Sequence, residues 1–91
     1  MSLTKEFEYD CEVRGPYKAV QVRTATIIKD GSDEISRSFH RHVLQCSTKT
    51  GDTWGDTDIS GESTEVQGIC NAVWTDSVKT AYQTAMDSQE V

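Results

Sequence analysis

His40 and His42 stand two residues apart in SRSFHRHVLQC, with Cys46 at the same parity. Residues of one parity on a strand share a face, so this is the spacing that two metal ligands on a strand would show. A metal site takes three or four donors, and Asp10 or Glu12 on a neighbouring strand are the candidates to complete it. The simpler reading is a pair of exposed histidines meeting the acidic strand beside Arg23. A nucleophilic Cys46 would need a histidine in fixed contact and an oxyanion donor, and no spacing in the chain points to either.

A second constellation is Asp56-Thr57-Asp58-Ile59-Ser60-Gly61. It matches the first half of a calcium loop, with oxygen donors at the first, third and fifth places and glycine at the sixth for the sharp turn. The second half departs from that pattern. Gln67 occupies the place of the bidentate glutamate, Ser63 fills the eighth place, and no helical pattern precedes the loop. A turn that leads into a helix collects the same residue types. With His40 and His42, the Asp52 to Asp58 loop would be the centre of a small metal- or anion-binding module. Arg37, Phe39, His40 and Arg41 supply a basic patch with an aromatic ring, the material of phosphate or single-strand contacts. Glu8, Asp10 and Glu12 lie close enough in the expected sheet to repel nucleic acid. Gly51 to Gly61 lacks the Gly-Lys-Ser/Thr of a phosphate loop.

The elements that must position these residues are legible from periodicity. Glu6 to Val13 alternates acid and apolar without a fault, the period of a half-buried strand over about residues 6–14. Gly15-Pro16 turns the chain, the β-branched run AVQVRTATII reads as a strand over 17–29, and Asp30 to Asp33 is a turn with Lys29 facing Glu34. Ile35 to Cys46 is the third strand. A two-residue loop at Gly15-Pro16 sets Cys11 opposite Val20, Tyr9 opposite Val22 and Glu8 opposite Arg23. A four-residue loop at Asp30 to Asp33 sets Val20 opposite Val43, Ile28 opposite Ile35 and Arg23 opposite His40. One face then gathers Phe7, Tyr9, Cys11, Val13, Val20, Val22, Ile28, Ile35, Phe39 and Val43, and the other Glu8, Asp10, Glu12, Arg23, His40 and His42. Arg37 and Arg41 fall on the apolar face and do not fit it. Either they lie beyond a covering helix, or a bulge near Arg23 to Ala25 shifts the register.

Residues 47–61, STKTGDTWGDTDISG, read as an ordered surface loop or loose hairpin, with a short fourth strand near Thr57 to Ser60 as an option. Trp54 anchors this segment at the rim of the core. Trp54, Arg37 and Arg41 are the candidates for contact with a partner. From Thr64 to about residue 88 apolar residues recur at helical spacing in two sets, Val66 to Trp74 and Val78 to Met86, whose stripes are offset. The offset predicts a break at Thr75-Asp76-Ser77, with Thr75 as a fresh N-cap. Thr64 with Gln67 reads as the first cap, and the chain is expected to fray from Asp87 to Val91. The fold class is therefore α+β, a three- to four-stranded antiparallel meander covered on one face by a kinked or broken C-terminal helix.

Ninety-one residues make one domain with a modest core, which places any function on a surface or at an interface. No apolar run of membrane-spanning length and no signal-peptide pattern is present, so the chain is expected to be cytoplasmic. Cys11, Cys46 and Cys70 are odd in number and lack CxxC spacing, which predicts reduced thiols. The net charge of −6 argues against a general nucleic-acid binder. It is uneven: residues 14–49 hold seven Lys or Arg against three acids, while residues 1–13 hold one Lys against four. Pairing within the fold is the plain reading of that basic middle, and docking of an anionic partner the sharper one.

Taken together, EFEYDCEV, YKAVQVRTATIIKDG, SRSFHRHVL and TEVQGICNAVWTDSVKTAYQ resemble small uncharacterised proteins of marine bacteriophages and environmental sequences. That resemblance implies a compact accessory or virion-associated protein, in the host cytoplasm or the virion, and transfers no functional residue. The expected function is a non-enzymatic interaction or structural module, without cofactor, whose partner is a protein, namely further copies of itself. The alternative is the metal- or anion-binding module on His40 and His42 or on Asp52 to Asp58.

Overall fold

The computed structural model describes residues 2–89. Three twelve-residue strands, β1 (Leu3–Arg14), β2 (Ala19–Asp30) and β3 (Asp33–Leu44), form an antiparallel sheet in that order. A hairpin of β4 (Ser47–Thr50) and β5 (Thr53–Asp56) follows, then α1 (Thr64–Val73) and α2 (Asp76–Ser88). The α+β architecture and the antiparallel meander stand as expected. The fourth strand is placed differently: Thr57 to Ile59 carry no regular structure, and the extra strands form the hairpin upstream. Gly51, at φ 62°, supplies the left-handed residue that the tight Thr50–Thr53 turn requires.

Both sheet registers differ from expectation, with unequal consequences. The β1–β2 loop spans four residues, ending on Lys18 at φ 54°, so Cys11 faces Val22 and Val13 faces Val20. That is a shift of two, which leaves every side chain on its face. Between β2 and β3 the turn is tight, with Lys29 facing Glu34 as expected, but a bulge at Ile28/Lys29 inserts one residue. Beyond it Val22 faces His42, Arg23 faces Arg41 and Ala25 faces Phe39. A shift of one turns the whole strand over. The bulge lies at least three residues closer to the tip than the expected Arg23 to Ala25, and it resolves the misfit. Arg37 and Arg41 join the acidic face, while His40 and His42 move to the face of Val20 and Val22.

The helix break occurs where the offset stripes place it. Thr75 caps α2, its Oγ1 accepting from the Val78 amide at 3.3 Å. The first cap is one residue earlier than expected: Ser63 Oγ accepts from the Val66 amide at 3.2 Å, and the Gln67 side chain donates to the Glu62 carbonyl at 2.8 Å. Helix α2 continues through Asp87 and Ser88, and fraying at Glu90 and Val91 lies outside the described residues.

The helices cover only the root of the sheet. There Val20, Val22, Cys46, Val66, Cys70 and Trp74 form the buried core, ringed by Tyr9, Cys11, Leu44 and Tyr82. The Trp74 indole donates to the Lys18 carbonyl at 2.8 Å, fastening the end of α1 to the β1–β2 turn. The rest of the sheet projects. Every β3 residue from Asp33 to Arg41 is exposed, as is β1 from Leu3 to Glu8. The molecule extends 58 Å along its long axis, with a radius of gyration of 17.0 Å, where a compact chain of this length has about 12 Å.

Candidate functional site

The projecting arm has two dissimilar faces. On the face shared with the core lie Leu3, Phe7 and Tyr9 of β1, Thr24, Thr26 and Ile28 of β2, and Ser36, Ser38 and His40 of β3. Leu3 and Phe7 are 58% and 52% exposed there. The opposite face carries alternating charge. Lys29 pairs with Glu6 at 2.8 Å, Arg37 with Glu8 at 3.1 Å and Glu34 at 2.7 Å, and Arg23 with Asp10. Beneath this network Ala25 and Ile27 are buried, Ile27 standing between Glu6 and Arg37 in its row. Long charged side chains lay their stems along apolar surface and keep the heads in water, which accounts for a buried isoleucine on a face without helices. Phe39 lies open on this face with the Arg23 guanidinium 4.7 Å from its ring centre, and Val43 is exposed beside Arg41.

The candidate metal residues do not converge. Asp10 and Glu12 lie on the face away from His40 and His42, so the expected completion across the sheet is corrected by the one-residue bulge. The two histidine rings are 5.8 Å apart, and His42 Nε2 lies 2.9 Å from Glu62 Oε1. Its Nδ1 is buried without a hydrogen-bond partner. Glu62, in the turn before α1, carried no sequence signal as the partner of His42. Cys46 lies beyond the end of β3 in the core, its Sγ 4.0 Å from the Val78 carbonyl, and burial pushes its thiol up. Burial of this kind disfavours the thiolate that a nucleophile needs.

The calcium-like segment is also engaged elsewhere. Asp56 pairs with Lys79 of α2 at 3.1 Å, and Asp58 turns back to accept from the Ser60 amide at 2.9 Å, which holds its carboxyl below the usual range. Among the described residues no group of three or more His, Cys, Asp or Glu side chains could hold a metal ion. Trp54 does anchor its segment. Its ring meets Tyr82 edge-on at 5.8 Å, and its indole donates to Asp87 at 3.2 Å. Lys49 donates to the same carboxylate at 3.0 Å, so α2 clamps the hairpin.

The hydrogen bond from Lys49, then that from Trp54, holds the Asp87 carboxyl below the ordinary aspartate range. A depressed folded-state pKa contributes stability above the unfolded value, and that contribution is lost as pH falls through the folded one. The hairpin clamp is therefore expected to hold above about pH 4 and to release below it. The Trp54 indole N–H resonance, followed from pH 6 downwards to about pH 2, reads this directly. Asp87→Asn should remove the acid transition of that resonance.

The largest part of the molecule that the helices leave uncovered is the arm. Among the described residues no helix is long and apolar enough to cross a membrane. A comparison with protein-family models, with curated proteins and with solved structures finds no match.

Proposed function

We propose that this chain is a non-enzymatic structural module that associates with further copies of itself through the projecting three-stranded arm. The surface area carries this reading. The chain exposes 6143 Å², whereas a compact monomer of 10.1 kDa exposes about 5,300 Å². The excess of about 850 Å² is close to the ~800 Å² that each partner contributes to a stable interface. The sheet has both outer edges free and leaves Leu3, Phe7, Ile35, Phe39 and Val43 open to water. Long, exposed, partly apolar strand edges favour pairing with another strand unless something covers them. A second copy brings the same edges and the same open rings.

Light scattering behind size exclusion tests the reading. The expected result is a mass at an integer multiple, two or more, of the 10.1 kDa chain. Phe7→Ser together with Phe39→Ser should bring the mass down to that of a single chain, because aromatic anchors dominate interface energy. A wild-type chain that stays monomeric up to about 1 mM, where affinity falls to about 4 kcal/mol, would overturn it.

A further inference from the structure

Resting on self-association through the arm, we infer how the copies join: the free edge of β1 in one copy docks beside the free edge of β3 in the next, head to tail. The sheet order β1-β2-β3 leaves these two edges open. They carry opposite charge on the same face. On β1, Glu6, Glu8, Asp10 and Glu12 alternate with other residues and so line up at about 6.6–7 Å intervals. Their side chains are 52–69% exposed despite their internal ion pairs, which leaves oxygen lone pairs for a further donor. On β3 the same face presents Arg37 and Arg41. Arg37 is taken up by Glu8 and Glu34, but Arg41 makes no ion pair among the described residues. It borders an open groove of about 620 Å³ together with Asp10, Glu12 and Arg23, and no helix residue lines that groove.

Geometry and charge select one arrangement. β1 and β3 run in the same direction, since each is antiparallel to β2. A copy set edge to edge with its faces matched therefore lays its β1 parallel to β3, and the row Asp10, Arg23, Arg41 continues into the Asp10 of the next copy. Its Glu8 and Glu12 stand one pleat repeat to either side, within reach of a guanidinium that binds carboxylate strongly. The two-fold alternatives that keep the charged faces on one side gather like charges. Pairing β1 with β1 brings eight carboxylates onto one face, and pairing β3 with β3 brings four guanidiniums together. Like charges set opposite one another in a sheet or an interface destabilise it. A head-to-tail contact of this kind is heterologous, so the assembly is a closed ring, or an open filament if the rotation does not close.

Charge reversal tests the pairing. Glu12 pairs only with Arg14 of its own strand, so Glu12→Lys leaves the ion pairs across the sheet intact. Arg41→Glu removes no ion pair among the described residues. Each single variant is expected to weaken association by at least about tenfold, read by light scattering over a dilution series, and the double variant R41E/E12K to associate more tightly than R41E alone, recovering part of that loss because Asp10 and Glu8 remain beside the new glutamate. Arg41→Gln should fall between wild type and Arg41→Glu. The pairing is overturned if wild type assembles while Arg41→Glu associates equally or more tightly, as a β3–β3 two-fold would, or if the double variant is no better than R41E alone. A monomeric wild type instead sinks the self-association reading on which the pairing rests. Unchanged circular-dichroism melts establish that each variant is folded.

Discussion

Trp74→Ala is expected to be the most damaging single substitution in the root, costing about 3–5 kcal/mol of folding stability. Trp74 is 7% exposed in a core that has only six buried members, so its loss removes a large share of the apolar area the chain buries there. A marginally stable domain with about 5–15 kcal/mol in hand has little room for that loss. The indole also answers the carbonyl of Lys18, whose left-handed backbone conformation needs a fixed neighbour. Trp74→Phe separates the two roles. It keeps most of the ring and loses the donor, so a smaller cost of about 1–3 kcal/mol is expected. Urea melts followed by circular dichroism read both values. A Trp74→Ala chain that melts within about 1 kcal/mol of wild type would show that α1 is not fastened to the sheet through this residue.

Ile27→Ala is expected to cost about 2 kcal/mol, at the low end for isoleucine in a core, because one face of its cavity can refill with water. Ile27 is 1% exposed, yet it belongs to the arm and not to the helix-covered cluster. Its removal should therefore act locally. Amides in the outer half of β2 and β3 are expected to lose hydrogen-exchange protection while those of Val20, Val22 and Val66 keep theirs. If the arm is the self-association surface, the same substitution should weaken assembly in step with the lost protection. Equal loss of protection at the root and in the arm would instead show that the two unfold as one cooperative unit.

Local chemistry alone determined much of this protein. The strict acid–apolar alternation of β1 predicts a two-faced strand, and β1 has those two faces. The quarter-turn offset between Val66 to Trp74 and Val78 to Met86 predicts a broken helix, and the chain breaks at Thr75. The anchoring role of Trp54 was legible from its position as a lone aromatic in a polar segment. These features depend on neighbours within a turn or a pleat, which the sequence lists directly. The misplaced first cap and the loop lengths are errors of one or two residues, and a shift of two in β1–β2 costs nothing because strand parity has a period of two.

Only the tertiary structure decided which chemistry shares a face. One extra residue on β3, Ile35, which has no partner opposite Ile28/Lys29, turns β3 over; the misfit of Arg37 and Arg41 pointed to a bulge, but no residue type marked where it falls. That inversion separates His40 and His42 from Asp10 and Glu12, which undoes the metal constellation, and sets Arg37 and Arg41 beside the carboxylates of β1, which dresses the arm with alternating charge. The length of the uncovered arm was equally hidden. Periodicity shows that a strand has an apolar side, but the reach of the helices over it depends on where α1 is tied, and that tie runs from Trp74 to Lys18, 56 residues apart in the chain.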